Sequence, residues 1–113
     1  MRHFLRSKIH NAIVTEANIE YVGSITIDRT LIEKAGFEVG EKVYVWDVTN
    51  GERLETYIIE GAKNSGTICM NGAAAHKIRT GHKVIIAGFE LSDKPIKPTI
   101  VLVKENNAFD KYL

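Results

Sequence analysis

The chain has 113 residues, 44% apolar and 26% charged, with a formal net charge of +1. That suffices for one domain with a single modest core. It is too apolar for a disordered segment and too near neutrality to argue a nucleic-acid partner from total charge. Cys69 is the only cysteine, which excludes an intrachain disulfide and a cysteine-based metal cluster and fits a reducing compartment.

The opening MRHFLRSKIH lacks the apolar run and small-residue cleavage site of a secretory signal. No stretch reaches the ~18 apolar residues of a membrane span. A cytoplasmic protein is expected, with neither membrane nor nucleic acid as partner.

Strand-like runs dominate the chain. Lys8–Ala17 and Ser24–Asp28 are the first two. The second begins within YVGSITID, Tyr21 to Asp28, where Gly23 interrupts β-branched residues that favour a strand. A bulge or tight bend explains a glycine there, and its freedom of backbone angle would also suit a distorted peptide. Asp28–Gly36 then reads as a helix. Asp28 or Thr30 is its N-cap, Thr30 with Glu33 fits a capping box, Gly36 is the stop, and Leu31, Ile32 and Ala35 share its apolar face.

Tyr44–Val48 and Leu54–Ile59 flank TNGER, and Asn50-Gly51 is a hairpin signal because both residues tolerate positive φ. Thr67–Met70, Lys83–Leu91 and Thr99–Val103 complete seven strands. Gly72–Gly81 is a short Ala-rich helix, and the tail Lys104–Leu113 is polar and mixed in charge. Seven short strands and two short helices in so small a chain predict a small closed β-barrel, which leaves no exposed sheet edge.

Four short stretches carry possible chemistry. In Gly23-Ser24 a serine hydroxyl stands next to the carbonyl before it. Attack there converts amide to ester against amide resonance, so the fold must strain or polarise that peptide. A plain turn is the ordinary reading of the pair, as it is for the reversed pair in Asn64–Thr67. In Asn50–Tyr57, alternation puts Arg53, Glu55 and Tyr57 on one face and Leu54, Thr56 and Ile58 on the other. Arg53 offers a fork for a carboxylate and Tyr57 a proton. Residues four apart on a strand stand roughly 13 Å apart. Arg53 and Tyr57 therefore share a small ligand only if it lies between them, the strand bends, or a second subunit supplies one of them.

In Met70–Lys77, small residues after Asn71-Gly72 allow close backbone approach to a ligand, and Asn71 can donate to a developing oxyanion. In Ser7–His10, Lys8 can hold an anion and His10 can relay protons. Each has an ordinary structural reading as well: a solvated hairpin face, an αL turn before an alanine run, a solvated edge. No HExxH, P-loop or GxGxxG occurs.

Taken together and in order, SKIHNAIVTEANIEYVGSITID, VWDVTNGERLETYII, CMNGAAAHKIRTGHKVIIA and KPTIVLV resemble the pyruvoyl-dependent aspartate 1-decarboxylases, over about residues 4 to 105. The resemblance implies a double-psi β-barrel and a homotetramer with active sites between subunits. It implies decarboxylation of L-aspartate to β-alanine, for pantothenate synthesis. Ser24 would become a covalent pyruvoyl cofactor after self-cleavage at Gly23–Ser24, giving chains 1–23 and 24–113. Neither metal nor pyridoxal phosphate is implied.

The pyruvoyl ketone would form a Schiff base with the substrate amine, and Tyr57 would be the proton donor. Thr56 matches the hydroxyl that holds the scissile carbonyl and later contacts substrate. Asn71 matches a residue that orients this region, and His10 and Tyr21 resemble polar residues near the cut. Gly72, Ala73 and Ala74 match a substrate-lining segment, and Arg53 with Lys8 a carboxylate clamp. The tail carries no pattern from which a maturation factor is read. Two other readings stand beside this one: a barrel module binding an anionic partner through Arg53, Lys8 and Lys77, and a pyruvoyl decarboxylase for another amino acid.

Overall fold

The computed structural model describes residues 1–113. Nine strands form one mixed sheet with two short helices: β1 (Arg2–Ile13), β2 (Glu16–Asn18), β3 (Ser24–Asp28), α1 (Arg29–Ala35), β4 (Lys42–Asp47), β5 (Arg53–Gly61), β6 (Ile68–Asn71), α2 (Ala74–Lys77), β7 (Lys83–Ser92), β8 (Thr99–Lys104) and β9 (Ala108–Tyr112). The strand order is β2-β6-β3-β5-β4-β7-β1-β8-β9. β1 pairs with β7 and β8, whereas β2 pairs with β6. Only Val14 and Thr15 separate β1 from β2, and Thr15 N donates to Ile68 O at 2.7 Å. One extended segment, residues 2–18, thus ties distant parts of the strand order together. The sheet curls around a single core of side chains such as Ile9, Ile25, Ile27, Val45, Ile58, Met70 and Ile86, all fully buried. The molecule is mainly β with short helices, as expected.

The run expected over Lys8–Ala17 is two strands, the end of β1 and most of β2, parted at Val14 and Thr15. β9 escapes the sequence reading: it lies in the polar tail as an edge strand with little to bury and too little apolar alternation to announce itself.

The helix limits follow local chemistry. Asp28 is the N-cap, its Oδ1 accepting from Thr30 N at 2.8 Å, and Gly36 closes α1 in the left-handed region at φ 71°. Leu31, Ile32 and Ala35 are buried as expected. The expected Thr30–Glu33 capping box does not form. Asp28 already holds the Thr30 N–H, and Glu33 pairs instead with Arg29 and Lys63.

The β4–β5 hairpin exists with its connection at residues 48–52, of the expected length and one residue earlier, and the Asp47 carboxylate accepts from Thr49 N and Asn50 N within it. Only Gly51 of its turn takes positive φ, at 79°. The Ala-rich helix is cut to α2, four residues, since Ile78 is already extended.

Asp28 does more than cap a helix. Oδ1 also accepts from Asn64 N at 2.9 Å and Oδ2 from Gly66 N at 2.8 Å, so one buried carboxylate fixes both the start of α1 and the loop entering β6. Asp28→Ala removes a cap and leaves buried N–H groups unpaired. It should lower unfolding stability by about 3 kcal/mol, measured by urea titration.

Candidate functional site

YVGSITID is not one strand. Residues 19–23 form a turn and bend, and β3 starts at Ser24. Gly23 is therefore outside the sheet, with φ outside the left-handed region and open space where a Cβ would stand. Of the bulge or tight bend expected at Gly23, the structure has the bend, outside the ladder and without positive φ. The glycine that geometry requires here is Gly72. Its φ is 68°, and a Cβ on it would lie 2.7 Å from Gly23 Cα and 2.9 Å from Tyr21 O. Its N–H donates to Asn18 O at 2.8 Å. Gly72 thus lets the 21–23 segment pack flat against the end of β6.

β3 and β6 run antiparallel with Ser24 opposite Asn71, Ile25 opposite Met70 and Thr26 opposite Cys69. Alternation sends Ile25 and Met70 into the core and leaves Ser24, Thr26, Cys69 and Asn71 together on the other face. That face carries a connected polar network. Asn71 Nδ2 donates to Ser24 Oγ and to Thr26 Oγ1, both at 2.9 Å. Cys69 Sγ donates to Asn71 Oδ1 at 3.1 Å, and Ser24 Oγ donates to Val22 O at 3.2 Å. Ser24 is 1% exposed and Asn71 2%. Burial, followed by the Glu16 carboxylate, pushes the Cys69 thiol up to about 11.

Ser24 opens onto a cavity of about 450 Å³ lined by Gly23, Thr56, Tyr57, Asn71, Ala73 and Ala74, together with Leu54, Glu55 and Lys77. Gly23, Ser24, Thr56, Tyr57, Asn71, Ala73 and Ala74, far apart in sequence, meet there, with Gly72 directly behind. Along β5, Arg53, Glu55 and Tyr57 are the more exposed set and Leu54, Thr56 and Ile58 the more buried, as the alternation predicts.

Four other predicted residues lie elsewhere. Arg53 stacks on Trp46, guanidinium carbon 4.6 Å from the ring centre, in a second groove of about 640 Å³ with His3, Tyr44 and Phe89. Leu54 and Glu55 form the wall common to both cavities. Lys8 and His10 sit on β1, and burial, then Lys8 and Lys83, lowers the His10 imidazole pKa. Its Nδ1 is buried without a partner. Tyr21 is half exposed on the bend and lines a shallow groove on the far side of Asn71. Lys77 is paired with Glu52 at 3.2 Å.

Residues 1–110 match the family model described as aspartate decarboxylase. The chain belongs to the aspartate decarboxylase family. It is 54% identical over 111 residues to the aspartate 1-decarboxylase of Caldicellulosiruptor saccharolyticus, covering 95% of this chain and 87% of the relative. It is 53% identical over 107 residues to that of Wolinella succinogenes, covering 91% and 88%. With that of Bacteroides fragilis it shares 53% identity over 105 residues, covering 89% and 90%.

Thr26 and Cys69 escaped the sequence reading. Their signal is positional: each lies two residues from Ser24 or Asn71, hence on the same strand face. Because the thiolate is the nucleophile, a Cys69 pKa near 11 predicts very slow alkylation of the native chain at pH 7–8. The rate should climb toward pH 11. Labelling with iodoacetamide across that range, followed by mass, checks it; fast labelling at pH 7 would contradict the burial and the shift.

Proposed function

We propose that this chain cuts itself at Gly23–Ser24, converts Ser24 to a pyruvoyl group, and decarboxylates L-aspartate at the α-carboxylate to β-alanine and CO2. The observation that carries the reading is the buried Ser24 hydroxyl held by Asn71 at the wall of a cavity shared with Thr56 and Tyr57. Family membership supplies the reaction class.

Cleavage begins with Ser24 Oγ attacking the Gly23 carbonyl carbon through a five-membered ring. The C–N bond breaks, the nitrogen takes a proton, and an ester links Gly23 to Ser24 Oγ. Charge develops on Oγ as it loses its proton, and the Asn71 Nδ2–H already points at that atom. Thr56, on the same cavity wall, is the hydroxyl proposed to steady the scissile carbonyl oxygen.

Removal of the Ser24 α-proton then breaks the Cβ–Oγ bond. Oγ leaves as part of the Gly23 carboxylate, so negative charge returns to the atom that Asn71 faces. The dehydroalanine left at position 24 hydrolyses and releases ammonia, leaving a ketone. Gly72 supports both steps by letting residues 21–23 lie against Asn71 without a clash. The small side chains of Ala73 and Ala74 leave room beside Ser24 for a reacting ligand, so the residues present fit the group.

Once formed, the pyruvoyl group supplies an electrophilic carbonyl and an electron sink for loss of CO2. The Tyr57 phenol, on the same cavity, delivers a proton to the substrate carbon that loses it. Arg53 and Lys8 are proposed to clamp the retained carboxylate. Arg53 lies across the Leu54–Glu55 wall from Ser24, which supports supply of the clamp by a second copy in a homotetramer. His10 and Tyr21 are assigned to the surroundings of the cut, and the setting is cytoplasmic, in keeping with a free buried thiol.

Ser24→Ala should give one uncut chain with no β-alanine formed, and measured β-alanine production by it would sink the proposal. Tyr57→Phe should cleave normally yet lose about a hundredfold or more in turnover. Assay of aspartate beside glutamate separates substrates, with turnover expected for aspartate.

A further inference from the structure

The amide of Asn71 has two nearly isosteric ends, and only one orientation presents N–H groups to Ser24. Ser24 Oγ gives its own proton to Val22 O and so accepts from Asn71; the Thr26 hydroxyl, which both donates and accepts, does not choose. The sulfur of Cys69 reinforces the choice. Apart from the Asn71 amide itself, whose nearer end is 3.1 Å away, it stands among acceptors only, Glu16 Oε2 at 3.6 Å and Met70 O at 3.9 Å. It holds one proton, and its raised pKa keeps that proton in place at neutral pH. The shortest of the three contacts draws Oδ1 toward the thiol. Nδ2 is thereby turned to the other side, where Thr26 Oγ1 takes one of its protons and Ser24 Oγ the other. With the amide reversed, Oδ1 would face Ser24 Oγ and oppose the negative charge that develops there.

We propose that Cys69 and Thr26 are positioning residues for self-cleavage: they fix the Asn71 amide so that Nδ2–H faces Ser24 Oγ in both steps in which that oxygen gains charge. The proposal rests on the self-cleavage reading above. Neither residue touches the bond that breaks. Cys69 acts as a hydrogen-bond donor, so a hydroxyl replaces it and a methyl does not. Thr26 acts as an acceptor of fixed place, so serine replaces it and valine does not.

The test follows uncut chain by intact mass after synthesis of the full-length protein, with thermal melting of each variant in parallel. Cys69→Ala should cleave at least about tenfold more slowly than wild type, because a misdirected donor loses part of its charge stabilisation. Cys69→Ser should recover the rate to within about threefold. Thr26→Val should slow cleavage severalfold and Thr26→Ser restore it, a pair that decides the matter even if Cys69→Ala does not fold. Wild-type rates in Cys69→Ala and Thr26→Val, or serine variants as slow as their apolar counterparts, overturn the proposal. Those outcomes, with wild type cleaving, leave the self-cleavage reading standing. A wild-type chain that never cleaves removes both.

Discussion

Two antiparallel strands, β3 and β6, meet in a register that sets Ser24 opposite Asn71 and Thr26 opposite Cys69. A one-residue slip of either strand would bring its own apolar residue, Ile25 or Met70, out of the core and turn its polar neighbours inward. The fully buried Ile25 and Met70 therefore lock the register by the same alternation that exposes Ser24 to its cavity. Hydrophobic packing on one face of the pair positions the chemistry on the other. The network there is connected, with each buried polar group engaged, which makes its geometry specific as well as tolerable in a buried place.

The elements around this pair keep it in place. Asp28 holds the end of β3, the start of α1 and the loop before β6 with a single carboxylate. Gly72 brings residues 21–23 against the end of β6, where no other residue would fit without displacing Gly23 or Tyr21. The extended segment 2–18 crosses from β7 and β8 to β6 and closes the architecture around one core. The Gly23–Ser24 bond, proposed to break once, lies at the start of β3 among these parts.

Local signals were legible. Asp28 and Gly36 bound α1 because capping is a matter of adjacent residues, and β5 alternates as its sequence says. The meeting of Ser24 and Asn71 was not legible from either residue. They are 47 positions apart, and only the joint resemblance of four motifs pointed to it. Gly23 illustrates the limit. Read locally it is a conformational device, yet the fold gives it no positive φ and open space, and assigns the close approach to Gly72. Thr26 and Cys69 became visible only once the strand register was known. Arg53 and Lys8 lie outside the Ser24 cavity.

Whether Gly23–Ser24 is a reacting bond is read from the intact mass of the purified protein. Two fragments that meet between residues 23 and 24 are expected, the larger one lacking a free amine and lighter by one ammonia than a chain starting with serine. A single full-length species that nonetheless releases β-alanine from aspartate would contradict that expectation.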